Sequence, residues 1–449
     1  MIKPKQLWAT SGKENKATEN KDKENKGTQK NELQQRVEQF MSGQDVILDQ
    51  HLFEFDIQAS KVHAQALQRI DILSPVELDQ ISASLDDLLS QFAKGQFVLD
   101  QTFEDGHSAI EYYLTEQLGD LGKKIHTGRS RNDQVAVATR LYCKQSLLEL
   151  KQTCVQISQV CLTQAEQHAD SVMPGYTHIQ RAVVSSWGLW FASFAESFCD
   201  NALLAQQTLD WIDSNPLGTA AGYGVNLALD REFTTAALGF SRMQINPMYV
   251  QNSRGKFELQ VLTAFKQAML DVRRLAWDLS LFTSAEFNLV RLPDLFSTGS
   301  SIMPNKRNPD TVELMRAQYA KLVGAYNEIE SLLSLPSGYQ RDLQNTKAPL
   351  INGVTDAQVC LELVPELLLG LDICHEQCTK AIEPAMFATE RAIDLAKEGV
   401  PFRQAYQQLK DNYQELAQRS PQQALHNRVS PGACANLKLS ELAKRLENV

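Results

Sequence analysis

Residues 131–173 read RNDQVAVATRLYCKQSLLELKQTCVQISQVCLTQAEQHADSVM, with no glycine or proline anywhere in the run. Apolar side chains recur in sevens at Leu141, Leu148, Val155 and Leu162, and again at Leu147, Cys154 and Cys161, as they do along the buried stripe of a long packed helix. The same texture covers Lys256 to Leu292 without a break, while Ala182 to Asn215 contains only Gly188 and Thr311 to Leu335 only Gly324. At a helical rise of about 1.5 Å per residue such elements would run to roughly 50–60 Å, longer than one compact domain of this size needs. The expectation is a mainly α protein with a long central helical bundle whose exposed stripes are covered by neighbouring subunits.

Outward from that bundle the chain divides into four parts: residues 1–30, a helical segment 31–130, the central long helices 131–382 and a small helical segment 383–449. Residues 11–30, SGKENKATENKDKENKGTQK, hold no aliphatic or aromatic side chain beyond Ala17. They cannot bury a core and are expected to be disordered. Further on, Ser74-Pro75-Val76-Glu77 offers a capping serine, a first-turn proline and a third-position glutamate, which predicts a helix start.

Composition narrows the function classes. The 449 residues are 43% hydrophobic and 22% charged, ample for a large core. A formal net charge of -10 argues against broad binding to nucleic acid or an anionic membrane. Eight cysteines are scattered through apolar helical segments without the density of a disulfide scaffold and read as reduced core residues. The start, MIKPKQLWATSGKENK, lacks an apolar signal core, and no uncharged apolar stretch of about 18 residues follows, so a cytoplasmic location is expected.

The chemistry concentrates in Thr298-Gly299-Ser300-Ser301-Ile302-Met303-Pro304-Asn305-Lys306-Arg307-Asn308-Pro309-Asp310, a polar segment wedged between two long helical runs. Hydroxyl, cation and amide groups together suit a site that holds a carboxylate while moving a proton. A mere linker would need only interchangeable small polar residues.

GSSIMPNKRNP resembles the signature loop of the fumarase/aspartase superfamily, whose members eliminate fumarate from a substituted succinate. Lys124-Ile125-His126-Thr127-Gly128-Arg129-Ser130-Arg131-Asn132-Asp133-Gln134-Val135 is similar to the argininosuccinate lyase form of the first shared motif. Three further blocks resemble segments of the same family: Met173-Pro174-Gly175-Tyr176-Thr177-His178-Ile179-Gln180-Arg181-Ala182, Pro336 to Gln344 with Lys347, and Gly399 to Tyr406. The likeness spans roughly residues 31–410. It implies a three-domain lyase that cleaves argininosuccinate to arginine and fumarate, working as a homotetramer with sites shared between subunits.

Roles transfer by that resemblance. Ser300 would be the hydroxyl that takes the carbon proton, helped by loop N–H groups and by Lys306, which faces the growing negative charge. His178 would be its partner, oriented by Glu313. The resemblance leaves open which of Ser300 and His178 is the base. Asn308, Arg131, Asn132, Thr177, Tyr339, Gln344 and Lys347 would hold the substrate, an arginine pairing a carboxylate bidentately. Neither a metal nor an organic cofactor is implied.

Other features read as structural. His51, His63, His168 and His426 are satisfied histidines, and His107 in Glu104-Asp105-Gly106-His107 supports a site without joining it. Cys374-His375-x-x-Cys378 lacks a second ligand pair for zinc. Gly218 to Gly224 has no Gly-Lys-Ser/Thr ending and connects helices. Trp187, Trp190 and Trp211 pack a core. Two departures from the family stand out: Val183-Val184 replaces a common proline, and an insertion near Gly43-Gln44 obscures a substrate-binding serine, for which Ser42 is the neighbour. The alternatives are another fumarate-releasing lyase, such as adenylosuccinate lyase or aspartase, and a crystallin-like relative that keeps the fold without activity.

Overall fold

The computed structural model describes residues 32–449 apart from 35, 38, 42, 411 and 412. The segment 1–30 and Ser42 therefore lie outside the described residues. The described chain is mainly helical, with four two-stranded sheets. It forms two compact units, whose boundaries fall inside the helices Arg131–Gln167, Trp187–Ile212, Lys256–Phe282, Asp310–Leu332 and Lys347–Glu362. Each unit thus takes part of every long helix.

The first unit contains the described residues up to Leu147, then Thr208–Leu262 and Gly324–Gly353. Its core gathers Phe53 and Ile57 from the helix Phe53–Arg69, Ile81, Leu85 and Leu88 from Pro75–Ala93, and Ile110 and Leu114 from Gly106–Leu118. Those positions recur three or four apart, so each helix turns one stripe inward. The expected start at Ser74 is a complete capping box: Glu77 N–H donates to Ser74 Oγ at 3.3 Å, and Ser74 N–H donates to Glu77 Oε2 at 2.8 Å. At the start of Arg131–Gln167 the buried Asp133 carboxylate accepts N–H bonds from Ser130, Gly218 and Ala220 at 2.9–3.0 Å. The Gly218 connector is held by those bonds, and no phosphate cradle is needed to explain it.

The second unit contains Leu148–Gln207, Thr263–Val323 and Val354–Val449. Here the structure departs from the expected helix over Ala182 to Asn215. Residues Val172–Thr177 and Gln180–Ser186 form an antiparallel hairpin, and the helix begins only at Trp187. The β-branched pair Val183-Val184 favours an extended strand, and Val184 is buried with Val172, Met386, Phe387 and Leu425. The run from Lys256 also stops early, at Phe282. Leu289 N–H turns back onto the Phe282 carbonyl at 2.8 Å and Asn288 takes a left-handed φ of 45°, a conformation asparagine tolerates well. A short strand, Val290–Arg291, follows.

All eight cysteines are unpaired and seven are buried. Among the described residues no group of three histidine, cysteine or acidic side chains is placed to hold a metal ion, the Cys374-His375 segment included. None of the described helices is long and apolar enough to cross a membrane.

Candidate active site

In the first unit a cavity of about 420 Å³ brings together Arg131, Asn132, Tyr339, Gln344 and Lys347, all expected from sequence to hold substrate. It also admits side chains the sequence did not single out: Asp45, Glu104, Arg254 and Arg341. Lys347 is buried, with 6% of its side chain exposed, and its ammonium lies 2.7 Å from Asp45 and 2.6 Å from Asp49. Burial pushes the ammonium pKa down, but the charges of Asp49 and Asp45 outweigh it and leave Lys347 above the usual lysine value. Asp49 is itself fixed, because its second oxygen accepts Gly106 N–H at 2.8 Å.

Arg131, at the start of its long helix, donates through both terminal nitrogens to Glu104, at 2.7 and 3.0 Å, and reaches Asp105 at 3.2 Å. Asp105 also caps the helix Gly106–Leu118 by accepting Ser108 N–H at 2.8 Å. Burial alone would raise Asp105; His107, Arg131 and the Ser108 N–H together hold it below the ordinary carboxylate range. Gln344 and Arg341 both donate to the Met41 carbonyl at 3.0 Å, and the Arg254 guanidinium sits 5.5 Å from the Tyr339 ring centre. The cavity is therefore densely charged with both signs, a lining suited to a ligand that carries both carboxylates and cationic nitrogen.

Behind it, His107 is buried and its Nδ1 lies 2.5 Å from Asp56. Burial lowers its pKa, but the Asp56 carboxylate overcomes this and raises it above 6.5. A raised folded-state value means that protonation stabilises the fold: the contribution is complete below about 6.5 and disappears as pH climbs through the folded value. His107→Gln should thus destabilise the protein most below pH 6.5, and the gap to wild type should narrow at higher pH. Denaturant melts across that range check this, and a gap that does not change with pH would rule it out.

The second unit carries the proton-handling candidates. At the hairpin tip Thr177 pairs with Gln180, and His178 and Ile179 between them both have left-handed backbone, with φ of 54° and 59°. Two-residue hairpin turns of this kind normally use Asn-Gly, and a β-branched residue there is strained by about 1–3 kcal/mol. The hairpin's strands are anchored by Val172 and Val184, which pack against Met386 and Phe387, and the turn leaves His178 exposed. Among the described residues no hydrogen-bonding or ionic partner meets its imidazole.

Ser300 stands at the mouth of the loop 300–306, which is closed by the pairs Thr298–Asn308 and Gly299–Arg307. Its hydroxyl oxygen accepts N–H bonds from Ile302 at 3.3 Å and Met303 at 3.1 Å. Two backbone dipoles aimed at one oxygen lower the cost of negative charge on it. Lys306 is exposed and, among the described residues, has no ionic partner. Asn308 is half-buried in the closing ladder. Glu313, in the first turn of Asp310–Leu332 and 49% exposed, lies 3.5 Å from Arg316; within the chain its charge partner is that arginine, not His178.

Comparison with known proteins gives the family and the fold. The profile of a lyase family matches residues 30–324. The argininosuccinate lyase of Stenotrophomonas maltophilia (strain R551-3) is 56% identical over 411 residues, 91% of this chain and 95% of that protein. That of Xanthomonas oryzae pv. oryzae (strain PXO99A) is 55% identical, covering 92% of this chain and 96% of its own length. Among solved structures, EDDS lyase in complex with formate has a TM-score of 0.74 at 21% identity, covering 89% of this chain and 87% of that one. Class II fumarase from Schistosoma mansoni has a TM-score of 0.68 at 16% identity, covering 83% and 90%. The structural likeness speaks for the mainly α lyase fold, and the sequence identity, sustained along nearly the whole chain, shows that this lyase belongs to the argininosuccinate lyase family of the fumarase/aspartase superfamily.

Proposed function

We propose that the chain splits argininosuccinate into arginine and fumarate by acid/base β-elimination, with Ser300 and His178 as the proton-handling pair. One of them removes the proton from the succinyl carbon, the C–N bond to the guanidinium nitrogen breaks, and the other returns a proton to that nitrogen. Lys306 offsets the negative charge that grows on the carbanion, and Asn308 and Thr177 hydrogen-bond the succinyl carboxylates. Arg131, Asn132, Tyr339, Gln344 and Lys347 hold the remainder of the substrate, and Glu313 orients the imidazole. Every proton and charge role is filled by a side chain of the protein. The observation that carries this reading is the Ser300 oxygen with two N–H donors, in a loop that also presents an exposed Lys306.

The working particle is a homotetramer in which one chain's Glu313 meets another chain's His178. Two observations support this. His178, Lys306 and Glu313 are exposed in the single chain, although proton abstraction from carbon gains from exclusion of water. Large apolar side chains also stand out on the long helices: Leu270 and Trp277, one heptad apart, with Leu314 at 67% exposure and Val359 at 56%. Such stripes seek a partner helix. Unpaired buried thiols suit a reducing compartment such as the cytoplasm.

A substrate panel tests the reaction. Fumarate, followed by its ultraviolet absorbance, should form from argininosuccinate and not from adenylosuccinate, aspartate or malate. Preference for one of the other three would move the chain to a sister activity, and silence on all four would make it a crystallin-like relative.

A further inference from the structure

We infer that Arg307 is a positioning residue whose guanidinium clamps the base of the 300–306 loop and so sets the backbone that carries Ser300, Lys306 and Asn308. The inference rests on the reading that this loop handles the reaction's proton and charge. The loop is closed by a ladder of only two residue pairs, and a two-stranded ribbon that short is marginal in water. Something else must hold its ends together.

Arg307 supplies it. Its Nε donates to Ser297 Oγ at 2.7 Å, and its Nη2 donates to the Leu292 carbonyl at 3.0 Å and lies 2.5 Å from Asp294 Oδ1. All three acceptors belong to the 292–297 segment that leads into the loop, so one side chain on the exit strand staples it to the entry. Thr298 adds a second staple through its hydroxyl on Asp310. Because Arg307 lies between Lys306 and Asn308 in the chain, immobilising it fixes the peptide units on either side.

Geometry, not charge, dominates this clamp. The Asp294 side chain is 96% exposed and that of Arg307 51%, so the ionic contact is worth little. The other two bonds run to a hydroxyl and a carbonyl and need the fixed fork of a guanidinium. A lysine keeps the charge but presents a single point donor, and a displacement of about 1 Å can cost 10²-fold in rate.

The test uses the full chain with argininosuccinate and four variants. Arg307→Lys and Arg307→Ala should lower kcat by about tenfold or more with KM nearly unchanged, since the loss falls on the transition state. Added guanidinium ion should restore part of the Arg307→Ala rate and none of the Ser300→Ala rate. Asp294→Asn should stay within about twofold of wild type, as expected for an exposed ion pair. Full activity in Arg307→Lys would overturn the clamp, as would a kcat loss in Arg307→Ala that guanidinium leaves untouched. Should Arg307→Ala fail to assemble, Arg307→Lys alone decides. Normal turnover in Ser300→Ala would instead sink the reading of the loop, so the two failures are distinguishable.

Discussion

Ser300→Ala should reduce turnover of argininosuccinate by about 10³-fold or more while leaving thermal stability and assembly unchanged. The substitution removes one oxygen atom from a partly exposed loop, so no core packing is lost. What disappears is the atom on which the Ile302 and Met303 N–H groups converge. A positioned acid or base contributes about 10²–10⁴ to a rate, and groups that act as a unit lose nearly everything when one is removed. His178→Asn should fall by a similar factor for the same reason. Steady-state kinetics alongside a melting curve would check both, and near-normal kcat in the serine variant would take that hydroxyl out of the mechanism.

The second large effect is on stability. Lys347→Met leaves Asp45 and Asp49 facing each other with their shared cation gone. Burial already raises the Asp45 carboxyl, Lys347 pulls it back down, and Asp49 raises it further. Breaking a buried ion pair by removing one partner costs about 3–5 kcal/mol, because a charge is left buried and uncompensated. Replacing all partners together is far milder, so Lys347→Met combined with Asp45→Asn and Asp49→Asn should recover much of the loss. Denaturant unfolding of the single and triple variants gives both numbers. A single variant within about 1 kcal/mol of wild type would mean that the triad is no more than a surface-like pair.

The long helices were legible because an unbroken heptad-like stripe has few other interpretations, and the signature loop because its chemistry is written in consecutive residues. The hairpin of Val172–Thr177 and Gln180–Ser186 was not. Its turn is His178-Ile179, which carries none of the Asn-Gly chemistry that marks such turns, and its strands are anchored on Met386 and Phe387, about two hundred residues away. The end of the helix at Phe282 was hidden for a similar reason: no glycine or proline marks it, and a backbone turn at Asn288 makes it. Family likeness singled out Lys347, but its aspartate partners lie about three hundred positions earlier, a pairing that only the folded chain creates. The Glu104 partner of Arg131 was not legible, because a carboxylate 27 positions earlier carries no local sign of the pairing.

Mixing inactive variants tests the proposed sharing of sites between chains most directly. Ser300→Ala and His178→Asn proteins, each silent alone, should regain argininosuccinate cleavage after their subunits are exchanged, because some mixed particles then hold a site with both groups intact. Proven exchange of subunits with no return of activity would contradict it.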